Sequence, residues 1–292
     1  MATKKKKATK PVEEEAVEEE EDWGTAEEEE EDAPDATVGT APDEEPDEDE
    51  WGAEEDASMS APTLEIESHQ GVFAVDTTKI MVYGESGTGK TRFAATFPKP
   101  IFVDIDHGMS SVTKKVDKFT ISEGADGLAQ LRGVVEYLRG TAHGYETVVV
   151  DTLNEMQRVI MNFTIEEFTH IKRSYGNLPG MSDYGYMLNQ FMSLTREIIA
   201  LPMRVVLLAQ TNSQQFDTDI LMPQLVGKNS ARDLSRKMDV IGYIYKTESE
   251  TSEGLVPSLT FDSIQHVTKD RSDKLPSLLD DPSYKAMNAF WD

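Results

Sequence analysis

The stretch "KIMVYGESGTGKTRFAATFPKPIFVDID", Lys79–Asp106, decides how the chain is read. An apolar run, "KIMVY" (79–83), reads as a strand and enters a glycine-rich turn at Gly84. "GKTRFAATF" opens a helix that Pro98 and Pro100 stop, and "IFVDI" (101–105) is a second strand. Gly84, Gly89, Lys90 and Thr91 satisfy the pattern G-x-x-x-x-G-K-[ST] in "GESGTGKT", in the strand–turn–helix setting that the pattern requires. Glycines let backbone N–H groups converge on phosphate oxygens, and a helix starting near Gly89 aims its positive end at the same point. Residues Gly84, Glu85, Ser86, Gly87, Thr88, Gly89, Lys90 and Thr91 therefore read as a nucleotide-phosphate cradle. In it Lys90 reaches the β- and γ-phosphates and the Thr91 hydroxyl ligates Mg²⁺.

Working outward, short apolar runs alternate with longer amphipathic ones. "ADGLAQLRGVVEYLRG" (125–140) places Leu128, Leu131, Val134, Val135 and Leu138 at helical spacing, with Gly140 as a stop. "TVVVD" (147–151) is a continuous apolar strand, of the kind buried on both faces of a parallel sheet. A helix is expected from Leu153 to about Arg173, and another from a Ser182 cap to Ala200. "MRVVLLAQ" (203–210) is a fourth strand, followed by a polar, aperiodic loop from 211 to about 230. "DVIGYIYKT" (239–247) and "LVPSLTFDSIQHV" (255–267) look like a closing strand pair. The alternation implies an α/β fold with a mostly parallel central sheet.

A phosphate cradle needs a second magnesium ligand at the end of a neighbouring strand, and Asp151, closing "TVVVD", is the candidate for both metal and catalytic duty. Residue 152 is Thr, so a base that activates water must come from elsewhere. "FVDIDHG" offers Asp104 and Asp106 at the carboxyl end of the strand after the cradle, the edge where ligands collect in open α/β sheets. Alternation along a strand points both the same way, so spacing does not choose between them.

These motifs resemble a RecA-like P-loop ATPase core, in the compact form of phage-encoded RecA-like recombinase and single-strand annealing proteins. The resemblance rests on "GESGTGKT", "IFVDIDHGM", "TVVVDTLNEM", "MSDYGYMLNQFMSLTREII" and "RVVLLAQTN", and covers about residues 75–270. It implies ATP and Mg²⁺ as ligands and ATP hydrolysis, with Asp106, before His107, in the position of the catalytic acid. That acid is Glu in the family, one methylene longer. It further implies Gln210 as a γ-phosphate sensor, and Lys269 and Arg271 as basic residues completing a neighbouring subunit's site in a homo-oligomeric ring or filament. Single-stranded DNA would meet two loops. One carries Lys172, Arg173 and Tyr175; the other runs from Ser213 through "VGKNSARDLSRK" with Phe216, Lys228, Arg232, Arg236 and Lys237. The implied role is phage recombination, annealing or replication. A helicase-like or loader NTPase working on a protein partner, a P-loop small-molecule kinase and a non-hydrolysing nucleotide-gated scaffold remain as alternatives.

The formal charge of −27 is unevenly spread. Residues 1–62 hold 25 Asp and Glu against 5 Lys, while the other 230 hold 30 against 23. From Pro11 to Asp56 almost nothing is apolar, which predicts a disordered acidic tail over 1–62 ahead of one ATPase domain over 63–292. Trp23 in "EDWGTAEEEE" and Trp51 in "DEWGAEED" read either as a docking motif for a protein partner or as solvated residues of low-complexity sequence. The basic run Lys4–Lys7 has no apolar segment behind it, and no window approaches a membrane span of about 18 residues. The absence of cysteine excludes disulfides and thiolate metal sites. Together these features predict a cytoplasmic chain, in the host cell if phage-encoded.

Overall fold

The computed structural model describes residues 73–140, 142–170, 173, 176, 178–211, 220–227, 229–248 and 254–292. The acidic tail and its two tryptophans lie outside the described residues. A one-turn 3₁₀ helix, Val75–Thr77, leads into β1 (Lys79–Gly84), which lies in the middle of a nine-stranded sheet. The short α1 (Lys90–Ala94) follows, then β2 (Pro100–Asp104), β3 (Asp117–Thr120), α2 (Asp126–Arg139), β4 (Thr147–Asp151), α3 (Leu153–Glu167) and α4 (Met181–Ile199). The chain continues through β5 (Arg204–Gln210), α5 (Ser230–Lys237), β6 (Val240–Glu248), β7 (Leu255–Thr260), β8 (Lys269–Asp270), β9 (Leu278–Asp280) and α6 (Tyr284–Asn288). Strand order is β3-β2-β4-β5-β1-β6-β7-β9, with β8 on β6. The pairings from β3 through to β6 are all parallel, and those of β7, β8 and β9 are antiparallel. The expected α/β class with a mostly parallel sheet is the one observed.

Continuous apolar strands mean two buried faces, and alternate residues of β1 go to opposite sides. Met81 and Tyr83 join the cluster under α2, α3, α4 and α5, while Ile80 and Val82 join the one with Phe93 of α1 and Met287 of α6. All five apolar residues read at helical spacing in α2 are buried. Each is worth about 1.5–3 kcal/mol of burial, enough to seat a helix whose propensity alone would not. No helix among the described residues is long and apolar enough to cross a membrane.

Four local expectations need correction. The helix read from Leu153 to Arg173 stops at Glu167, because the backbone leaves helical geometry at Phe168. Ser182 is not the cap of α4; Gly180 is, and its N–H donates to Asp183 Oδ2 at 2.8 Å. Within the span read as a basic loop, Ser230–Lys237 forms α5, which buries Ala231 and Leu234. The strand read over 255–267 ends at Thr260.

Candidate functional site

Gly84 ends β1 against the backbone of β6, and a Cβ there would run into the carbonyl oxygen of Ile244, so only glycine fits. Gly89 caps α1 with φ +106°, a left-handed conformation that side chains other than glycine's disfavour. Between them the loop turns its backbone toward the carboxyl edge of the sheet, and α1 starts at Lys90. Lys90 is buried, and its Nζ donates to Gly84 O (2.9 Å) and Glu85 O (2.7 Å). An ammonium has three donors, so one is left for a ligand. Burial lowers the Lys90 pKa, against the pull of Asp151, Asp106 and Glu85.

Register brings the acids together. Asp104 of β2 pairs with Asp151 of β4, and the backbone N–H groups of Ile105 and Asp106 both donate to Asp151 O, at 2.9 and 3.1 Å. Thr91 Oγ1 donates to Asp151 Oδ2 at 2.7 Å. Desolvation pushes the buried Asp151 carboxyl up to about 6, despite the Thr91 hydrogen bond. Lys90, Thr91, Asp106, Asp151 and Gln210 line one cavity of about 360 Å³ with loop residues 86–89. A second cavity of about 440 Å³ shares Gly89, Arg92, Ser111 and Pro257 with it and runs on past Phe93 and Val112 to Pro282. The first brings the Lys90 ammonium and the loop backbone together and suits phosphates; the second sets Phe93, Val112 and Pro282 among hydroxyl and charged groups, a mixture that suits a base and sugar.

The two aspartates of "FVDID" part company. Strand β2 ends at Asp104, and the chain turns before Asp106, which breaks the alternation. Asp104 has 0% exposure and bonds Lys118 Nζ at 2.7 Å, away from the cavity, whereas Asp106 is exposed to it. Asp104 is thereby corrected from a candidate base to a structural ion pair.

Other sequence-predicted residues fall elsewhere. Arg173 is corrected: it makes a two-pronged pair with Asp183 (2.9 and 2.8 Å), both side chains under 5% exposed, and donates to the carbonyls of Thr164 and Ile165. It closes the end of α3 against the start of α4 and offers no free charge to DNA. Arg271, half-exposed, bonds Asp239 Oδ1 at 2.8 Å and Arg236 O at 3.0 Å within its own chain. Lys269 donates to the carbonyls of Ser235, Arg236 and Met238. Asp239 directly precedes β6, at the sheet end opposite the phosphate loop, and both cations complement the carboxyl terminus of α5. Arg232 is exposed, on α5 rather than a loop. Lys172, Tyr175, Phe216 and Lys228 lie outside the described residues.

Sequence reading missed Lys246 and Pro257, which the β6–β7 hairpin pairs with each other and brings to the cavity wall. It also missed Thr152, which lines the cavity while its hydroxyl caps α3 by accepting from Glu155 N. Among the described residues no cluster of three or more His, Cys, Asp or Glu forms a metal cage. One hydroxyl and one carboxylate in contact, beside a phosphate loop, fit Mg²⁺ instead, which keeps waters and takes its remaining ligands from phosphates. Thr91 and Asp151 would hold it.

A glycine loop with a buried lysine, a hydroxyl–carboxylate pair across two strands and an acid facing both define a P-loop nucleotide-binding ATPase domain. Residues 76–272 match the AAA domain family, and the chain belongs to it. Among solved structures, it is similar to the KaiC-like protein PH0186 from Pyrococcus horikoshii OT3, at 13% identity and TM-score 0.37, over 63% of this chain and 77% of that one. The flagellar accessory protein FlaH from Methanocaldococcus jannaschii has 11% identity and TM-score 0.36, over 70% and 84%. A third solved structure, an ATPase domain, has 12% identity and TM-score 0.35, over 67% and 78%. No curated protein matches the chain.

Proposed function

We propose that the chain is a RecA-like ATPase that binds ATP with Mg²⁺ in this cavity, hydrolyses it with Asp106 as the water-orienting acid, and couples hydrolysis to single-stranded DNA. The observation that carries the reading is the convergence of Lys90, Thr91, Asp106, Asp151 and Gln210 on one cavity from four separate segments. Lys90 binds the β- and γ-phosphates with its remaining donor. Mg²⁺, when bound, neutralises charge on the phosphate oxygens. Asp106 accepts hydrogen bonds from water on the γ-phosphate side, and Gln210 contacts that phosphate without becoming charged. The adjoining cavity by Phe93 and Val112 takes base and ribose.

The DNA part of the proposal is supported by the sequence resemblance and by the exposed Arg232 and Lys237 on α5, downstream of Gln210. Assembly into a ring or filament, and a role in phage recombination, annealing or replication, rest on the resemblance alone. Arg173 and Arg271 are each bonded within the chain and lend the proposal no support. The test is ATP hydrolysis with and without single-stranded DNA, for wild type and Lys90→Ala, across a salt series. The expected result is hydrolysis lost by at least about 100-fold in Lys90→Ala, and DNA stimulation that fades with salt as phosphate contacts release counterions. Hydrolysis indifferent to DNA would remove the DNA part, and phosphate transfer to a small acceptor would replace the whole with a kinase.

A further inference from the structure

The opening turns of α3 carry two amide side chains, Asn154 and Gln157, that a phosphate cradle does not require. Three residues apart, they share one helix face. Asn154 Oδ1 accepts from the backbone N–H of Gln210 at 2.8 Å, and its Nδ2 donates to Gln224 O. The buried Gln157 repeats the pattern on Val226, accepting from its N–H at 2.8 Å and donating to its carbonyl at 3.0 Å. Between the two, Gln224 N–H donates to Gln210 O at 2.8 Å. The main chain of Gln210 is thus bonded on both its polar groups, and 224–226 is held much as a neighbouring strand would hold it. Amides suit this because each carries a donor and an acceptor, as a peptide does.

The placement gives the arrangement a consequence. Helix α3 begins at Leu153, immediately after Asp151 and its capping Thr152, and both of those residues line the cavity. Gln210 ends β5 and lines the same cavity from the other side. Asn154 therefore connects the acid edge of the site to the glutamine edge through one side chain.

We infer that Asn154 is a positioning residue that fixes Gln210 against the nucleotide, and that with Gln157 it couples the Asp151 edge to segment 224–226. The inference rests on the cavity's being the ATP site. Removing the amide frees the Gln210 backbone, so Asn154→Ala lowers kcat about tenfold while leaving the nucleotide Kd within about threefold. Gln210→Ala added to it causes little further loss, because both changes remove one unit. Asn154→Asp keeps the acceptor for Gln210 N–H and recovers part of kcat.

The full-length wild type and Asn154→Ala are also compared by hydrogen exchange, with and without Mg²⁺ and a slowly hydrolysed ATP analogue. Wild type gains protection at Gln210, Gln224 and Val226 on nucleotide addition, and the variant loses that response at Gln224 and Val226. A response kept in Asn154→Ala, or missing in wild type that binds the analogue, overturns the inference, as do additive losses in the double variant. Should wild type bind the analogue without hydrolysing ATP, the ATPase reading fails on its own and the exchange comparison still decides the coupling. Should the analogue not bind, both fall.

Discussion

At the amino ends of β1, β5 and β6 the charged side chains are matched. Lys79 Nζ donates to Leu201 O and Met203 O while its backbone N–H meets Asp239, Arg271 takes the other oxygen of Asp239, and Arg204 meets Asp76 and Glu146. Burial still lowers Lys79 to about 8, so even this edge carries some cost. At the carboxyl ends of β2 and β4, Asp104, Asp106 and Asp151 crowd together, and Lys90, which faces the last two, has its amine bonded to loop carbonyls. One edge spends its charges on holding helix ends and strands together. The other keeps acids close and Asp151 desolvated, a stability cost of the kind that functional sites tolerate because a ligand relieves it.

The comparison breaks most readily at the one acid that belongs to the stabilising side despite its location. Lys118→Ala leaves Asp104 buried and unpaired, with an expected loss of about 2–4 kcal/mol in urea unfolding, moderated because Lys118 is partly exposed. Adding Asp104→Asn should return much of it. A loss under about 0.5 kcal/mol would mean that the pair is ornamental.

Asp151 tests the opposite edge with the opposite sign. Its folded pKa, about 6 against 3.8, means that the native state holds more protons between those values, so stability falls as pH rises through that window. Two units correspond to at most about 3 kcal/mol. Without nucleotide, Asp151→Asn should be more stable than wild type above pH 6, by roughly 1–3 kcal/mol, and equal to it below about pH 4. Thermal unfolding across pH reads this, and a variant less stable at pH 7 would contradict it.

The smallest effect is expected at the matched edge. Arg271→Gln removes one partly exposed pair and one bond to the α5 terminus, costing about 1 kcal/mol. A large fall in hydrolysis with stability intact would restore the trans-acting role that the sequence suggests.

The sequence carried the cradle, the four strands β1, β2, β4 and β5 and the acid at Asp151, because each is a local pattern: a glycine spacing or an unbroken apolar run; the exposed, polar β3 shows neither. It did not carry what depends on where a strand stops. Asp104 and Asp106 are equivalent under alternation, and only the end of β2 at Asp104 separates them. Arg173 reads as free because its partner, Asp183, lies ten residues on across a loop. Lys246 and Pro257 enter the cavity wall through antiparallel register, which neither segment encodes by itself. Helix α5 hides because six of its eight residues are polar, and with Ala231 and Leu234 as its buried apolar residues it looks like loop. Asn154 has no motif; its role is visible only through the backbone groups that it meets.

The division between the two aspartates is the central claim, and steady-state ATP hydrolysis with nucleotide titration for Asp106→Asn and Asp104→Asn tests it most directly. Asp106→Asn should lower kcat by about 100-fold or more, as loss of a water-orienting acid does, with the nucleotide Kd within about threefold. Asp104→Asn should keep kcat within about threefold. The reverse order, or two equal losses, would contradict the account.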